Sequence, residues 1–175
     1  MIALEPLLAA IANQYALAPQ GLHGLNHWAR VLENGLRLAE TEGGDITVIR
    51  LFAIFHDACR HNQSRDPGHG NRGAALAEQQ LGDLTLVTQK QLNLLTFACR
   101  EHTYGKTTAD LTVQICWDSD RLDLARVPIM PHPNYLCTQA AKTSALINWA
   151  NLRAISDHSP AFVKSDWEPI FSGID

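Results

Sequence analysis

The chain has 175 residues, 46% of them apolar and 18% charged, with 14 basic and 18 acidic side chains for a net charge of −4. One folded domain fits that length, and a disordered chain, a membrane protein or a general nucleic-acid binder with a basic face does not fit that balance. No run approaches the ~20 apolar residues of a bilayer span. The first eighteen residues lack a basic start and carry Glu5 and Pro6, so they do not read as a signal peptide. Cys59, Cys99, Cys116 and Cys137 form no C-x-x-C pair and sit in apolar surroundings. They read as free thiols of a cytoplasmic protein.

Helical periodicity runs through nearly the whole chain. Residues Ile2 to Leu17 place Leu4, Leu7, Leu8, Ile11, Ala12 and Tyr15 on one stripe, with Pro6 tolerated in the first turn. A second helix spans Leu25 to Glu42 and stops at Gly43-Gly44. Asp45 is a natural N-cap for a third, which buries Val48, Leu51, Phe52, Phe55 and Cys59. The Gly- and Pro-bearing stretch Arg60 to Gly73 reads as a loop, followed by a fourth helix from about His69 or Asn71 to Leu81. A fifth runs from about Thr85 to His102, a sixth from Leu111 to Val127 and a seventh from about Asn134 to Ala154. The tail Ser159 to Asp175 has two prolines among Phe162, Trp167, Ile170 and Phe171 and is expected to be an irregular strap. The expected fold is all-α: one helical bundle over residues 1–175, without repeats or linkers.

Histidine carries the chemical information. Six of the eight histidines lie between His23 and His102. His56-Asp57 follows five consecutive apolar residues, Leu51 to Phe55. An imidazole and a carboxylate at the end of so apolar a helix cost several kcal/mol unless both are satisfied. His27 opens the second helix, His69 the fourth, and His102 ends the fifth. Asp118 and Asp120 interrupt the apolar sixth. Imidazoles and carboxylates from five elements suit a divalent metal such as Mn, Fe, Co, Ni, Zn or Mg. Trp28 and Trp117, each beside a candidate ligand, read as core rather than as a base-stacking platform.

The order His27 … His56-Asp57 … Asp120 resembles the HD-domain superfamily of metal-dependent phosphohydrolases, as do His56-Asp57-Ala58-Cys59-Arg60 and Asp118-Ser119-Asp120-Arg121-Leu122-Asp123. His69-Gly70 and Glu101-His102-Thr103 look like the two further histidines of its binuclear branches. The resemblance covers about residues 22–127. It implies that His27, His56, Asp57 and Asp120 hold one divalent ion and that Asp57 bridges to a second held by His69 and His102. It makes Asp57 and Arg60 the catalytic pair, and Asp118 the group that orients a ligand imidazole. Arg60, Arg72 and Lys106 become contacts for a small phosphorylated substrate, a nucleotide in the first instance. His23, His132 and His158 carry no motif and receive no role. Two rivals share the ligand set: a mixed-valent di-iron oxygenase and a non-catalytic nucleotide-binding module. A homodimer through the N-terminal helix or the tail is compatible with the sequence but not required by it.

Overall fold

The computed structural model describes residues 2–172. It is all-helical among those residues, with eight α-helices. They are α1 (Glu5–Ala12), α2 (Leu25–Glu42), α3 (Ile46–Phe55), α4 (His69–Leu81), α5 (Gln89–Glu101), α6 (Leu111–Arg121), α7 (Ser144–Ile155) and α8 (Glu168–Ser172). No described helix is long and apolar enough to cross a membrane.

The middle of the bundle is α3. Every residue from Leu51 to Phe55 is fully buried, each larger side chain contributing about 1.5–3 kcal/mol by leaving water. Asp45 starts this helix by accepting from the Thr47 and Val48 amides, and α2, α5 and α6 close around it. The fourth helix packs on α5 and on the end of α3. Two glycines permit that approach. A Cβ on Gly70 would stand 2.2 Å from the Cys99 carbonyl oxygen, and one on Gly73 2.2 Å from that of Phe55. Small residues therefore bring the N-terminus of α4, with His69, against the C-terminal ends of α3 and α5.

Several boundaries differ from the sequence expectation, among them the start of the fifth helix, at Gln89 rather than Thr85, and the end of the third, at Phe55 before Cys59. The first helix stops at Ala12, because Gln14 and Tyr15 tighten into bonds to residues three back, Ile11 and Ala12. The sixth ends at Arg121, and a short 3-10 turn, Leu124–Arg126, takes its place. The seventh begins at Ser144, since the Cys137 and Thr138 amides that a longer helix would use point instead at the Asp118 carboxylate. Over residues 159–172 the tail is not irregular, and residues 173–175 lie outside those described. Its apolar residues have helical spacing, and Val163–Trp167 forms a π-turn that continues into α8 and packs on α1.

Candidate metal centre

Six side chains from five parts of the chain meet at one end of α3. His27 lies in the first turn of α2 and His56 caps the C-terminus of α3, with Asp57 next to it. His69 is the first residue of α4, His102 caps the end of α5, and Asp120 is the penultimate residue of α6. All but Asp120 are buried, and Asp120 is mostly so.

The four imidazoles share one bonding pattern. His56 Nδ1 faces the Phe52 carbonyl at 3.0 Å, His69 Nδ1 that of Asp66 at 2.7 Å and His102 Nδ1 that of Cys99 at 2.7 Å. His27 Nδ1 faces the Asp123 carboxylate at 2.7 Å. Carbonyls and carboxylates only accept, so each Nδ1 carries the proton and each Nε2 is left to offer its lone pair. Those Nε2 atoms converge in two pairs, His27 with His56 at 3.1 Å and His69 with His102 at 2.9 Å.

Asp57 stands between the pairs. Its Oδ2 is 3.6 Å from His27 Nε2 and 3.9 Å from His56 Nε2, while Oδ1 is 3.1 Å from His69 Nε2 and 3.8 Å from His102 Nε2. Asp120 Oδ1 joins the first pair at 3.5 and 3.9 Å. Donors ~2.1 Å from a common ion stand about 3.0 Å apart at a right angle and about 3.4 Å at the tetrahedral angle. The observed spacings are those of ligands around a cation. Donor atoms within 4.8 Å of one another form three triads, His23–His27–Asp57, His27–His56–Asp120 and Asp57–His69–His102, each of which could hold an ion.

The electrostatics agree. Burial drives the His56 pKa down to about 3, against the pull of Asp57 and Asp120, and burial also lowers that of His102. Both imidazoles are therefore neutral and able to ligate near pH 7. Burial acts to raise Asp57 and Asp120, but the surrounding imidazoles outweigh it, joined at Asp120 by Arg126, and both stay well below the usual carboxylate range. His69 moves up, because the bond to Asp57 overrides its burial.

A family model for the HD domain matches residues 24–125, more than half of the chain. The chain belongs to the HD-domain family. No curated protein and no solved structure matches it. HD domains are metal-dependent phosphohydrolases as a class, and the buried His/Asp cluster of this one is in keeping with that.

Around this HD centre, several sequence-level expectations need correction. Asp118 does not orient an imidazole. Its carboxylate is fully buried on the other side of α6, where it accepts from the Cys137 amide at 2.7 Å and from the Thr138 amide and hydroxyl at 2.8 Å. Residues two apart on a helix diverge by about 200°, so Asp118 and Asp120 cannot both face the centre. The orienting carboxylate is Asp123, one turn beyond Asp120. It is bonded to His27 and clamped by Arg30 at 2.7 and 3.2 Å. Burial raises Asp123, but His27 and Arg30 outweigh it and keep it ionised. The spacing Asp120-x-x-Asp123 was the available signal, since residues three apart share a helix face.

The three proposed substrate contacts also separate. Arg60 is buried beside the centre, its Nη1 3.4 Å from Asp57 Oδ1. Arg72 turns away and grips both oxygens of Asp66 at 2.7–2.8 Å. Lys106 pairs with Glu101 at 2.6 Å, half exposed. Neither of those two lines the cavity over the centre. That cavity, of about 430 Å³, has Arg60 and Arg126 among its walls, along with the exposed side chains of Ile129, Met130 and Tyr135. Arg126 has its Nη2 3.9 Å from Asp120 and sits in the 3-10 turn where a continuous helix was expected. Trp28 and Trp117 are fully buried core residues.

Proposed function

We propose that the protein is a two-cation phosphohydrolase for one small phosphorylated substrate, of about the size of a nucleotide monophosphate. His27, His56, Asp57 and Asp120 hold one cation, and Asp57, His69 and His102 hold the other. The observation that carries this reading is the pair of converging imidazole couples with one oxygen of Asp57 turned toward each. One proton could relieve one such couple, but neither accounts for both carboxylates nor for spacings suited to ligation.

Divalent cations bound at such a donor set lower the pKa of coordinated water from ~15.7 toward ~7 and neutralise charge on a phosphoryl group. The chain's own residues do the rest. The Nδ1 bonds fix all four rings with Nε2 inward, so no reorganisation is needed when charge develops. Arg60 and Arg126 bring guanidinium groups to opposite carboxylates of the centre, Asp57 and Asp120. Planar guanidinium groups there can each meet two phosphoryl oxygens. Ile129, Met130 and Tyr135 give the cavity apolar, solvent-facing walls that limit water access around a bound ester. A volume of about 430 Å³ lies within the range for one small ligand, and the guanidinium groups of Arg60 and Arg126 in its walls favour an anionic phosphorylated substrate over a neutral alcohol.

The test is metal content together with turnover. Purified protein should contain two divalent ions per chain and hydrolyse phosphate esters from a nucleotide panel. Chelation should abolish turnover, Mn²⁺ should restore it, and exclusion of oxygen should leave it unchanged. His56→Ala and Asp57→Ala should lose metal and turnover together. Full turnover in chelated protein, or retained metal in both variants, would overturn the reading. Turnover that stops without oxygen would move the protein to the oxygenase branch.

A further inference from the structure

The shortest contact in the centre is made by a residue outside the family's motif. His23 Nδ1 lies 2.6 Å from Asp57 Oδ2, and His23 precedes the segment that the HD model matches, which begins at residue 24. Two donors sharing an ion stand ~3.0 Å apart or more, so 2.6 Å is a hydrogen bond from the imidazole to the carboxylate. The bond needs a proton on Nδ1, which the Nδ1–H tautomer and the cationic ring both carry.

Its value lies in what Asp57 must do. Each carboxylate oxygen has two acceptor sites. Oδ2 faces His27 and His56 and takes the His23 N–H, while Oδ1 faces His69 and His102 and takes Arg60 Nη1 at 3.4 Å. One site per oxygen is thereby left for a cation on each side. Rotation of the carboxylate about its Cβ–Cγ bond would lose both N–H contacts.

The segment that carries His23 is itself held in place. The Leu25 amide donates to the Pro19 carbonyl at 2.7 Å and the Gly24 amide to that of Gly21 at 2.9 Å, closing the turn on either side of His23. The Tyr15 hydroxyl donates to the His23 carbonyl at 2.9 Å. The Tyr15 ring packs edge-on against Trp28 and against Phe171 of α8, with centroids at 5.1 and 5.9 Å. Segments from both ends of the chain thus converge on the backbone of this one histidine.

We propose that His23 is a positioning residue whose Nδ1–H holds Asp57 in the two-sided orientation that lets a single carboxylate serve both cations. This rests on the two-cation reading above. The consequence is specific: loss of the donor should weaken the second ion and uncouple the pair, and a donor restored at the same place should rescue both.

The experiment compares full-length wild type with His23→Asn, His23→Gln and His23→Ala, each stripped and reloaded with Mn²⁺. An Asn amide places an N–H where Nδ1 was, whereas a Gln amide places one where Nε2 was. The readouts are Mn²⁺ affinity and the electron paramagnetic resonance spectrum, which distinguishes an exchange-coupled ion pair from isolated ions. Wild type and His23→Asn should bind two coupled ions. His23→Gln and His23→Ala should lose about 10–100-fold in affinity for the second ion, as loss of an orienting partner does, and show isolated Mn²⁺. A coupled pair of wild-type affinity in His23→Gln or His23→Ala would overturn the proposal, as would a loss in His23→Asn equal to that in His23→Ala. Wild type that binds no Mn²⁺ would instead sink the two-cation reading itself, a result distinct from failure of the His23 assignment.

Discussion

The α2–α3–α6 half of the centre draws His27, His56 and Asp120 from three mutually packed helices, whereas the α4–α5 half draws His69 and His102 from a single packed pair. The first half adds a carboxylate of its own to its share of Asp57, and its His27 is oriented by a charged partner, Asp123. The second half has only its share of Asp57, and both its imidazoles are oriented by backbone carbonyls. Two carboxylates around one ion and one around the other make unequal sites. Ionised hydrogen-bond partners also make stronger bonds than neutral ones. On the two-cation reading, the α2–α3–α6 half is expected to be the tight, inner site and the α4–α5 half the looser, outer one, dependent on how Asp57 is held.

Ligand removal on either side is the most direct way to break that comparison. His27→Ala should cost both ions, because the tight site fails and Asp57 loses a neighbour on its Oδ2 side. His102→Ala should leave one ion bound and remove turnover that requires two. Elemental analysis of desalted protein decides between these outcomes. Two ions in His102→Ala, or one firmly held in His27→Ala, would mean that the halves are not ranked as their ligand sets imply.

A smaller effect separates the two carboxylates that flank Asp120. Asp123→Ala removes the anion that holds His27 and should weaken the tight site by about 10–100-fold. Asp118→Ala touches neither half of the centre. It leaves the buried Cys137 and Thr138 amides unpaired, at about 1–3 kcal/mol for each group. Its melting temperature should fall by several degrees while metal affinity holds. Equal losses of metal in the two variants would show that the Cys137–Thr138 segment and the centre are coupled through α6.

The same pair shows how far the sequence could be read. The helices around the site were legible because α2, α3, α5 and α6 each carry a continuous apolar face. The cluster of six candidate ligands was legible because its histidines and aspartates fall at the ends of those faces. Asp118 is close to Asp120 along the chain but not in helical phase with it, and a spacing of two on a helix points its carboxylate away from the site, toward Cys137 and Thr138. His23 gave no signal at all. It sits in a turn, where no periodicity fixes direction, and only the bonds from Leu25 to Pro19 and from Tyr15 to the His23 carbonyl aim it at Asp57. The roles of Arg72 and Lys106 were unreadable for a related reason: a basic residue in a loop is free to pair with whichever acid is near, here Asp66 and Glu101. Arg126 was concealed within what looked like the end of a longer helix.

The cations that flank the centre give the finest distinction. Arg126 is largely buried, donates through Nε to the Leu22 carbonyl at 3.1 Å and through Nη1 to the Asp123 carbonyl at 3.1 Å, and so presents Nη2 toward Asp120 on the tight side. An anchored guanidinium loses little freedom when it meets a phosphoryl group, and charge-assisted hydrogen bonds of this kind contribute about 1.5–3 kcal/mol. Arg126→Ala should thus lower kcat/KM by roughly 10–100-fold with both ions retained, and Arg126→Lys should recover only part of the loss, since an ammonium cannot reproduce the fork. Lys106 keeps its charge in solvent beside Glu101, and Lys106→Ala should change kcat/KM by less than about twofold, as surface substitutions away from a site do. Steady-state kinetics on the best ester of the nucleotide panel reads both effects. A larger loss at Lys106 than at Arg126 would place the substrate's anionic group over the outer half of the centre and reverse the assignment of the anion-binding side.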